Sequence, residues 1–202
     1  MANYNRKDHL YKQAKADGYR SRAAFKLLEL NQKYKFLTRG AKVFDLGSWP
    51  GGWIQVAKEK VGAKGLVVGI DLQELEPFSD SNVKLIHGDI RDEECLQAAK
   101  ELAEGDFDVV ISDMSAKLTG IKTADQAASV GLAELGLWVS QQLLKPGGVY
   151  VAKVFKGGEV EEFVKTLRPI FDKVQRTELK STRKTSKEFY IVGIGIKQSA
   201  KF

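Results

Sequence analysis

Apolar residues fall in two spacings along this chain. Short runs rich in Val, Ile and aromatic side chains occupy residues 42–46, 65–70, 83–86, 107–112, 148–155, 171–179 and 188–196, and read as strands. Between them, residues 53–61, 92–104, 124–144 and 159–167 carry apolar positions at helical spacing. Two more helices are predicted before Gly40. Residues 8–17 form a polar one. Residues 20–30 form a stronger one, with Ala24, Phe25, Leu27, Leu28 and Leu30 as its apolar positions and Ser21 placed to cap it. Strands separated by helices predict an α/β fold, a three-layer sandwich around a mostly parallel sheet. The last two strands are joined through residues 180–187 without a helix, so they are expected to pair antiparallel within a seven-stranded mixed sheet. The whole chain, 1–202, reads as one domain. A basic helical extension at 1–40 joins an α/β core at 41–197.

One strand departs from the apolar rule. The run V-Y-V-A-K-V-F at 149–155 follows the breaker K-P-G-G at 145–148 and holds Lys153 in its interior. Lysine is almost never buried without a partner, because desolvating an ammonium costs several kcal/mol. Either Lys153 sits near a strand end with its amine in water, or the fold gains something from a positioned amine.

A glycine-rich turn follows the first core strand. Residues 43–53 read V-F-D-L-G-S-W-P-G-G-W, a strand, a turn and a helix start. Such turns lie at the carboxyl ends of strands, where α/β sheets bind ligands. The glycines run G-x-x-x-G-G, which is neither the dinucleotide fingerprint G-x-G-x-x-G nor a P-loop, since no G-K-[ST] follows. A nicotinamide dehydrogenase is disfavoured on that spacing. Acidic residues end or follow the first four core strands: Asp45, Asp71, Asp89 and Asp113. Asp71 is spaced to hold ribose hydroxyls, and Asp89 is a candidate for an adenine amino group. Carboxylates without a phosphate cradle suit S-adenosylmethionine, a cationic nucleoside.

Composition narrows the class. At 202 residues, 43% hydrophobic and 29% charged, the chain suits a soluble globular domain. No apolar run approaches a bilayer span, and residues 1–10 carry no secretory h-region, so no membrane is expected. One cysteine, Cys95, and two histidines, His9 and His87, give no zinc-ligand spacing; no metal is required, and the cytoplasm is the expected compartment. The net charge of +6 is unevenly spread. Residues 1–26 hold seven Lys/Arg against two Asp/Glu, residues 173–202 hold eight against two, and the centre is acidic. If the two basic ends share a face, they form a surface for a polyanion such as RNA.

Six segments then carry a family resemblance: Y-R-S-R-A-A-F-K at 19–26, D-L-G at 45–47 with P-G-G-W at 50–53, G-D at 88–89, S-D-M at 112–114, K-V-F at 153–155 and S-K-E-F-Y-I-V at 186–192. Together they resemble the FtsJ family of RNA ribose 2′-O-methyltransferases, in particular the bacterial-type 23S rRNA enzyme. The resemblance implies a Rossmann-like class I methyltransferase fold. It implies transfer of a methyl group from S-adenosyl-L-methionine to a ribose 2′-hydroxyl of large-subunit rRNA, a uridine of the A-loop. The family's Lys-Asp-Lys-Glu tetrad falls on Lys26, Asp113, Lys153 and Glu188. Cofactor contacts fall on Asp45, Gly47, Gly51, Gly52, Trp53, Asp71, Asp89 and Asp113. Arg20, Arg22, Arg183, Lys184 and Lys187 lie beside tetrad residues in sequence and are candidates for the RNA backbone. Tyr4, Tyr11 and Tyr19 are candidates to stack on bases. The implied partner is rRNA or the large ribosomal subunit, and the implied state a monomer. The chain departs from the family at Ser48-Trp49, usually two small residues, and at residues 115–117, often Ala-Pro-Asn. Two rivals remain: a 2′-O-methyltransferase for another RNA (tRNA or cap), and a non-catalytic RNA-binding ribosome-assembly factor.

Overall fold

Seven strands carry the core: β1 (Lys42–Leu46), β2 (Leu66–Asp71), β3 (Val83–His87), β4 (Phe107–Ser112), β5 (Leu144–Phe155), β6 (Phe171–Thr177) and β7 (Glu188–Ile196). Among the described residues six α-helices accompany them: α1 (His9–Ala16), α2 (Ala24–Tyr34), α3 (Gly52–Val61), α4 (Glu93–Ala103), α5 (Lys122–Leu143) and α6 (Glu159–Leu167). The computed structural model describes residues 9–183 and 185–201; Tyr4 and Lys184 lie outside them.

The strands are apolar on both faces because helices cover both. Along β1, Val43 packs on one side while Phe44 and Leu46 pack on the other, the two-residue period of a strand. The Val43 side is closed by Ala24, Leu27 and Leu30 of α2 and by Trp53, Ile54 and Ala57 of α3. The Phe44 side is closed by Ala99 and Ala103 of α4, Leu137 and Leu143 of α5, and Phe163 of α6. The result is the three-layer α/β/α sandwich expected from the alternation of strands and helices.

Strand order is β3-β2-β1-β4-β5-β7-β6. β7 runs antiparallel to β5 and β6, and every other pair is parallel, so the sheet is mixed with one reversed strand. From β1 the chain winds outward to β2 and β3, then returns to begin β4 on the other side of β1. That reversal opens a crevice above the carboxyl ends of β1 and β4, where doubly wound sheets bind ligands.

Two local expectations are corrected. Ser21 does not cap α2: Ala23 stands at the cap without a side-chain bond. The Ser21 hydroxyl instead packs on α3, so close that a Cβ at Gly52 would meet its oxygen at 2.3 Å. The breaker at 145–148 does not precede β5 but lies within it. Leu144 already pairs with Phe107, and the register then slips so that Val109 faces Val149. The extra residues form a bulge, which keeps Pro146 out of the hydrogen-bond ladder it cannot serve.

Candidate active site

Strand register assembles the charged cluster. Lys153 of β5 faces Tyr190 of β7, and Phe155 faces Glu188, so Lys153 and Tyr190 stand side by side on the sheet face that α2 covers. β4 lies on the other side of β5, and Asp113 follows its last residue. α2 brings Lys26 down onto the same corner. The four sequence candidates therefore meet, although 162 positions separate Lys26 from Glu188.

The Lys153 ammonium donates to the Asp113 carbonyl at 2.7 Å and lies 3.4 Å from the Asp113 carboxylate. Its side chain is 7% exposed, so it is buried and partnered rather than turned out to water. Lys26 bridges the two acids, 2.6 Å from Glu188 Oε1 and 3.8 Å from Asp113 Oδ1. Tyr190 donates its hydroxyl to Asp113 Oδ1 at 2.7 Å, and the Thr182 hydroxyl reaches Glu188 Oε1 at 3.2 Å. Sequence reading did not assign roles to Tyr190 or Thr182. For Tyr190 a signal existed, since it lies two residues from Glu188 on one strand and so shares its face.

Two lysines and two carboxylates make a balanced set, and the electrostatics follow. Burial works against an ionised Asp113, but Lys153, Lys26 and the Tyr190 hydroxyl outweigh it and hold the acid below its ordinary range. Burial also works against a charged Lys26, yet Asp113 and Glu188 raise it above an ordinary lysine. Tyr190 is held well above a free phenol, first by burial and then by the charges of Asp113 and Glu188.

Asp113 also lines a cleft of about 790 Å³ at the carboxyl ends of β1 to β4. Gly47, Asp71 and Asp89 line it too, with Ile70, Ile90, Met114 and Leu132 as apolar wall. Gly47 has φ of +73°, and a Cβ there would come 2.6 Å from Met114 Cγ, so only glycine fits the turn. Asp71 accepts backbone N–H bonds from Trp49 at 2.9 Å and Gln73 at 2.8 Å. Asp89 is gripped by the exposed Arg91 guanidinium, which lowers its carboxyl below the usual range. Arg91 carried no signal in the sequence. The other cofactor candidates stand behind this lining. Gly51 and Gly52 are buried in the turn into α3. Trp53 donates its indole N–H to the Ala23 carbonyl at 2.8 Å and packs 6.0 Å from the Tyr190 ring. Asp45 is 1% exposed, and its Oδ2 has no partner. Burial, with Asp113 and Asp71 nearby, pushes its carboxyl well above the usual range.

The described parts of the two basic ends share a face. Glu29 of α2 accepts the backbone N–H groups of Lys180 and Ser181 at 2.8 and 3.0 Å and the Ser181 hydroxyl at 2.9 Å. Arg22 donates to the Ser181 carbonyl at 2.6 Å and Lys33 to the Thr177 hydroxyl at 2.7 Å. Arg20 stacks 3.8 Å over the Phe78 ring and donates to the carbonyls of Glu76 and Pro77. Tyr19 is used similarly, donating to Glu59 at 3.2 Å and meeting Phe25 edge-on. Arg183 and the exposed Lys187 line a groove of about 670 Å³ that opens beside Glu188, with Lys122, Lys156 and Lys180 as further cations. Among the described residues there is no group of acidic, histidine or cysteine side chains that could hold a metal ion, and no helix long and apolar enough to cross a membrane.

Comparisons with known proteins agree with this fold. The model of the FtsJ-like methyltransferase family matches residues 19–196. A protein of Methanothermobacter thermautotrophicus named ribosomal RNA large subunit methyltransferase E is 44% identical over 197 residues, 98% of this chain and 93% of its own. A Marinobacter nauticus protein of the same name is 46% identical over 94% of this chain and 91% of its own. A solved Plasmodium falciparum structure, described as a putative ribosomal RNA methyltransferase, superposes with a TM-score of 0.77 at 30% identity, over 88% of this chain and 98% of that one. A Thermotoga maritima S-adenosylmethionine-dependent O-methyltransferase shares the fold, with a TM-score of 0.57 at 14% identity over 94% of this chain and 72% of that one. The chain belongs to the FtsJ-like methyltransferase family.

Proposed function

We propose that this protein transfers a methyl group from S-adenosylmethionine to the 2′-hydroxyl of a ribose in large-subunit rRNA, a uridine of the A-loop. One observation carries the reading: Asp113 is at once a wall of the cleft and the carboxylate that holds Lys153 and Lys26. A cofactor in the cleft and a hydroxyl at Lys153 would therefore meet at one residue.

The cleft suits the cofactor's chemistry. It offers carboxylates and an apolar wall, and its turn is not a phosphate cradle. Asp71 would take the ribose hydroxyls, and Asp89, with Ile90 beside it, the adenine edge. Gly47 lets backbone approach the methionine end. Asp45, Gly51, Gly52 and Trp53 support that contact from beneath, by setting the turn from β1 into α3. Bound there, S-adenosylmethionine supplies an electrophilic methyl group that needs no further activation.

The protein's task is then to place an oxygen and manage its proton. Lys153 orients the 2′-hydroxyl with a lone pair toward the cleft and stabilises the charge that develops on it; the oxygen–methyl bond forms as the sulfonium–methyl bond breaks, and the hydroxyl proton is released to solvent. Asp113 fixes Lys153 through two oxygens, its carbonyl and its carboxylate. Glu188 holds Lys26 in the cluster, and Lys26 together with Lys153 keeps Asp113 ionised. Two basic segments on one face make RNA the acceptor of choice over a small molecule. A binding-only assembly factor would need those segments but not a buried amine fixed on a cleft wall.

The test is methyl transfer from labelled S-adenosylmethionine to unmethylated large ribosomal subunits, with digestion to nucleosides and mass spectrometry. A 2′-O-methyluridine that vanishes with Lys153→Ala supports the reading. A base-methylated product, or no product while cofactor binds, overturns it.

A further inference from the structure

Residues 114–121, which link Asp113 to α5, form a lip between the cofactor cleft and the basic groove. Met114, Ser115, Ala116 and Lys117 line the cleft, while Lys122, at the start of α5, lines the groove. The lip presents two large aliphatic side chains to solvent, Leu118 at 61% and Ile121 at 63% exposure. It is a built loop. Asp125 accepts the Thr119 N–H at 2.7 Å, the Thr119 hydroxyl at 2.8 Å and the Gly120 N–H at 3.2 Å. At the next residue of α5, the Gln126 amide donates to the Lys156 carbonyl, which ties α5 to the end of β5 and fixes Lys122 relative to Lys156.

The groove below the lip is cationic. Among the described residues, Lys122, Lys156, Lys180, Arg183 and Lys187 face two carboxylates, Glu178 and Glu188. Both acids are already paired, Glu178 with Lys156 and Glu188 with Lys26, each at 2.6 Å. Excess positive charge in a concave track, bordered by exposed apolar groups, suits a chain that is anionic along its backbone and flat and apolar on its bases.

We propose that the lip and the groove together hold a single-stranded segment of RNA next to the acceptor nucleotide. Lys122 and Lys187 take phosphates, and Leu118 and Ile121 take the faces of unstacked bases. This rests on the reading of RNA as the acceptor and adds where its strand runs. Phosphate contacts alone would accept a duplex equally well. The aliphatic pair selects a loop whose bases can be splayed out, because paired bases hide their faces in the stack.

The experiment measures anisotropy of a fluorescein-labelled single-stranded RNA, and of the duplex of the same sequence, across a salt series. Leu118→Ser/Ile121→Ser is expected to weaken single-strand binding roughly tenfold with an unchanged salt slope and little effect on the duplex. Lys122→Ala/Lys187→Ala is expected to reduce the salt slope by roughly 1.4, about 0.7 for each phosphate contact on a single strand. Neither variant should change cofactor affinity by calorimetry. Single-strand affinities and slopes within twofold of the parent protein overturn the proposal. So does a loss confined to binding of phosphatidylglycerol vesicles, which assigns the patch to a membrane surface. The measurement needs no turnover, so it separates the two readings. Shifted RNA binding without methyl transfer leaves the lip standing and removes the reaction; intact methyl transfer with unshifted RNA binding removes the lip alone.

Discussion

The charged corner around Asp113 and the cleft in front of it share a residue and differ in everything else. In the corner each charge has a protein partner within 3.8 Å, and the side chains are mostly buried. In the cleft, Asp71 and Asp89 bond only to nearby backbone or to the exposed Arg91, and the walls are apolar and open. The corner is organised before any ligand arrives, while the cleft is shaped to be completed by one. Substitutions in the corner should therefore affect the reaction and the fold, and substitutions in the cleft should affect binding alone.

Lys153→Ala is the strongest way to break that contrast. Methyl transfer in a single turnover is expected to fall about a thousandfold, the scale of losing one preorganised polar contact in a dry site. Asp113 keeps Lys26 and Tyr190, so cofactor affinity by calorimetry should hold within about twofold of the parent, since 1.4 kcal/mol is tenfold. A retained rate would remove Lys153 from the chemistry.

Lys26→Met comes next and acts on stability. It strands Glu188 and half-strands Asp113, so chemical denaturation should show a loss of about 3 kcal/mol. The pH dependence has a definite sign. Lys26 is raised in the folded protein, so its contribution is complete below about pH 10.4, the free lysine value, and fades as pH rises through the higher folded value. Asp113 is lowered, so its contribution is present above about pH 3.9 and fades as pH falls through the lower folded value. The penalty of Lys26→Met should thus be flat near neutrality and shrink in strong alkali.

Asp89→Asn sharpens the contrast from the other side. Cofactor affinity should drop about tenfold, near 1.4 kcal/mol, while the melting temperature does not move, because the Asp89–Arg91 pair lies at the surface. A large loss of stability would show that the cleft, too, is part of the built framework.

Tyr190→Phe is the smallest change. It deletes one hydrogen bond to a carboxylate that keeps both lysines, so stability should fall by about 1 kcal/mol. Activity should fall several-fold, through a looser Asp113. An unchanged rate with the same loss of stability would make Tyr190 purely structural.

Much of this was legible residue by residue. The apolar runs showed the strands because a sheet covered on both faces needs them, and Lys153 stood out because nothing else in the run 149–155 is charged. The turn at 43–53 announced the cleft by its glycines. Less could be read where a partner is far along the chain. Arg20 and Arg22 are candidates for the RNA backbone, but that their guanidinium groups also meet carbonyls 56 and 159 positions away could not be read locally. Tyr190 could be placed on the Glu188 face by alternation, but its bond to Asp113 requires β5 between β4 and β7.

By itself the sequence determined the element order, the mixed α/β class and the acids at the strand ends. Each of these depends on periodicity or on local turn chemistry, which short segments carry; the four charged residues were singled out as a set only by the family resemblance of the segments that hold them. Only the tertiary structure decided that Asp113 belongs to both the cleft and the cluster, that Lys153 is buried with partners, and that the basic ends meet through Glu29. Those facts depend on strand order and on one reversed strand. Strand order is set by how all seven strands pack together, and no local spacing records it.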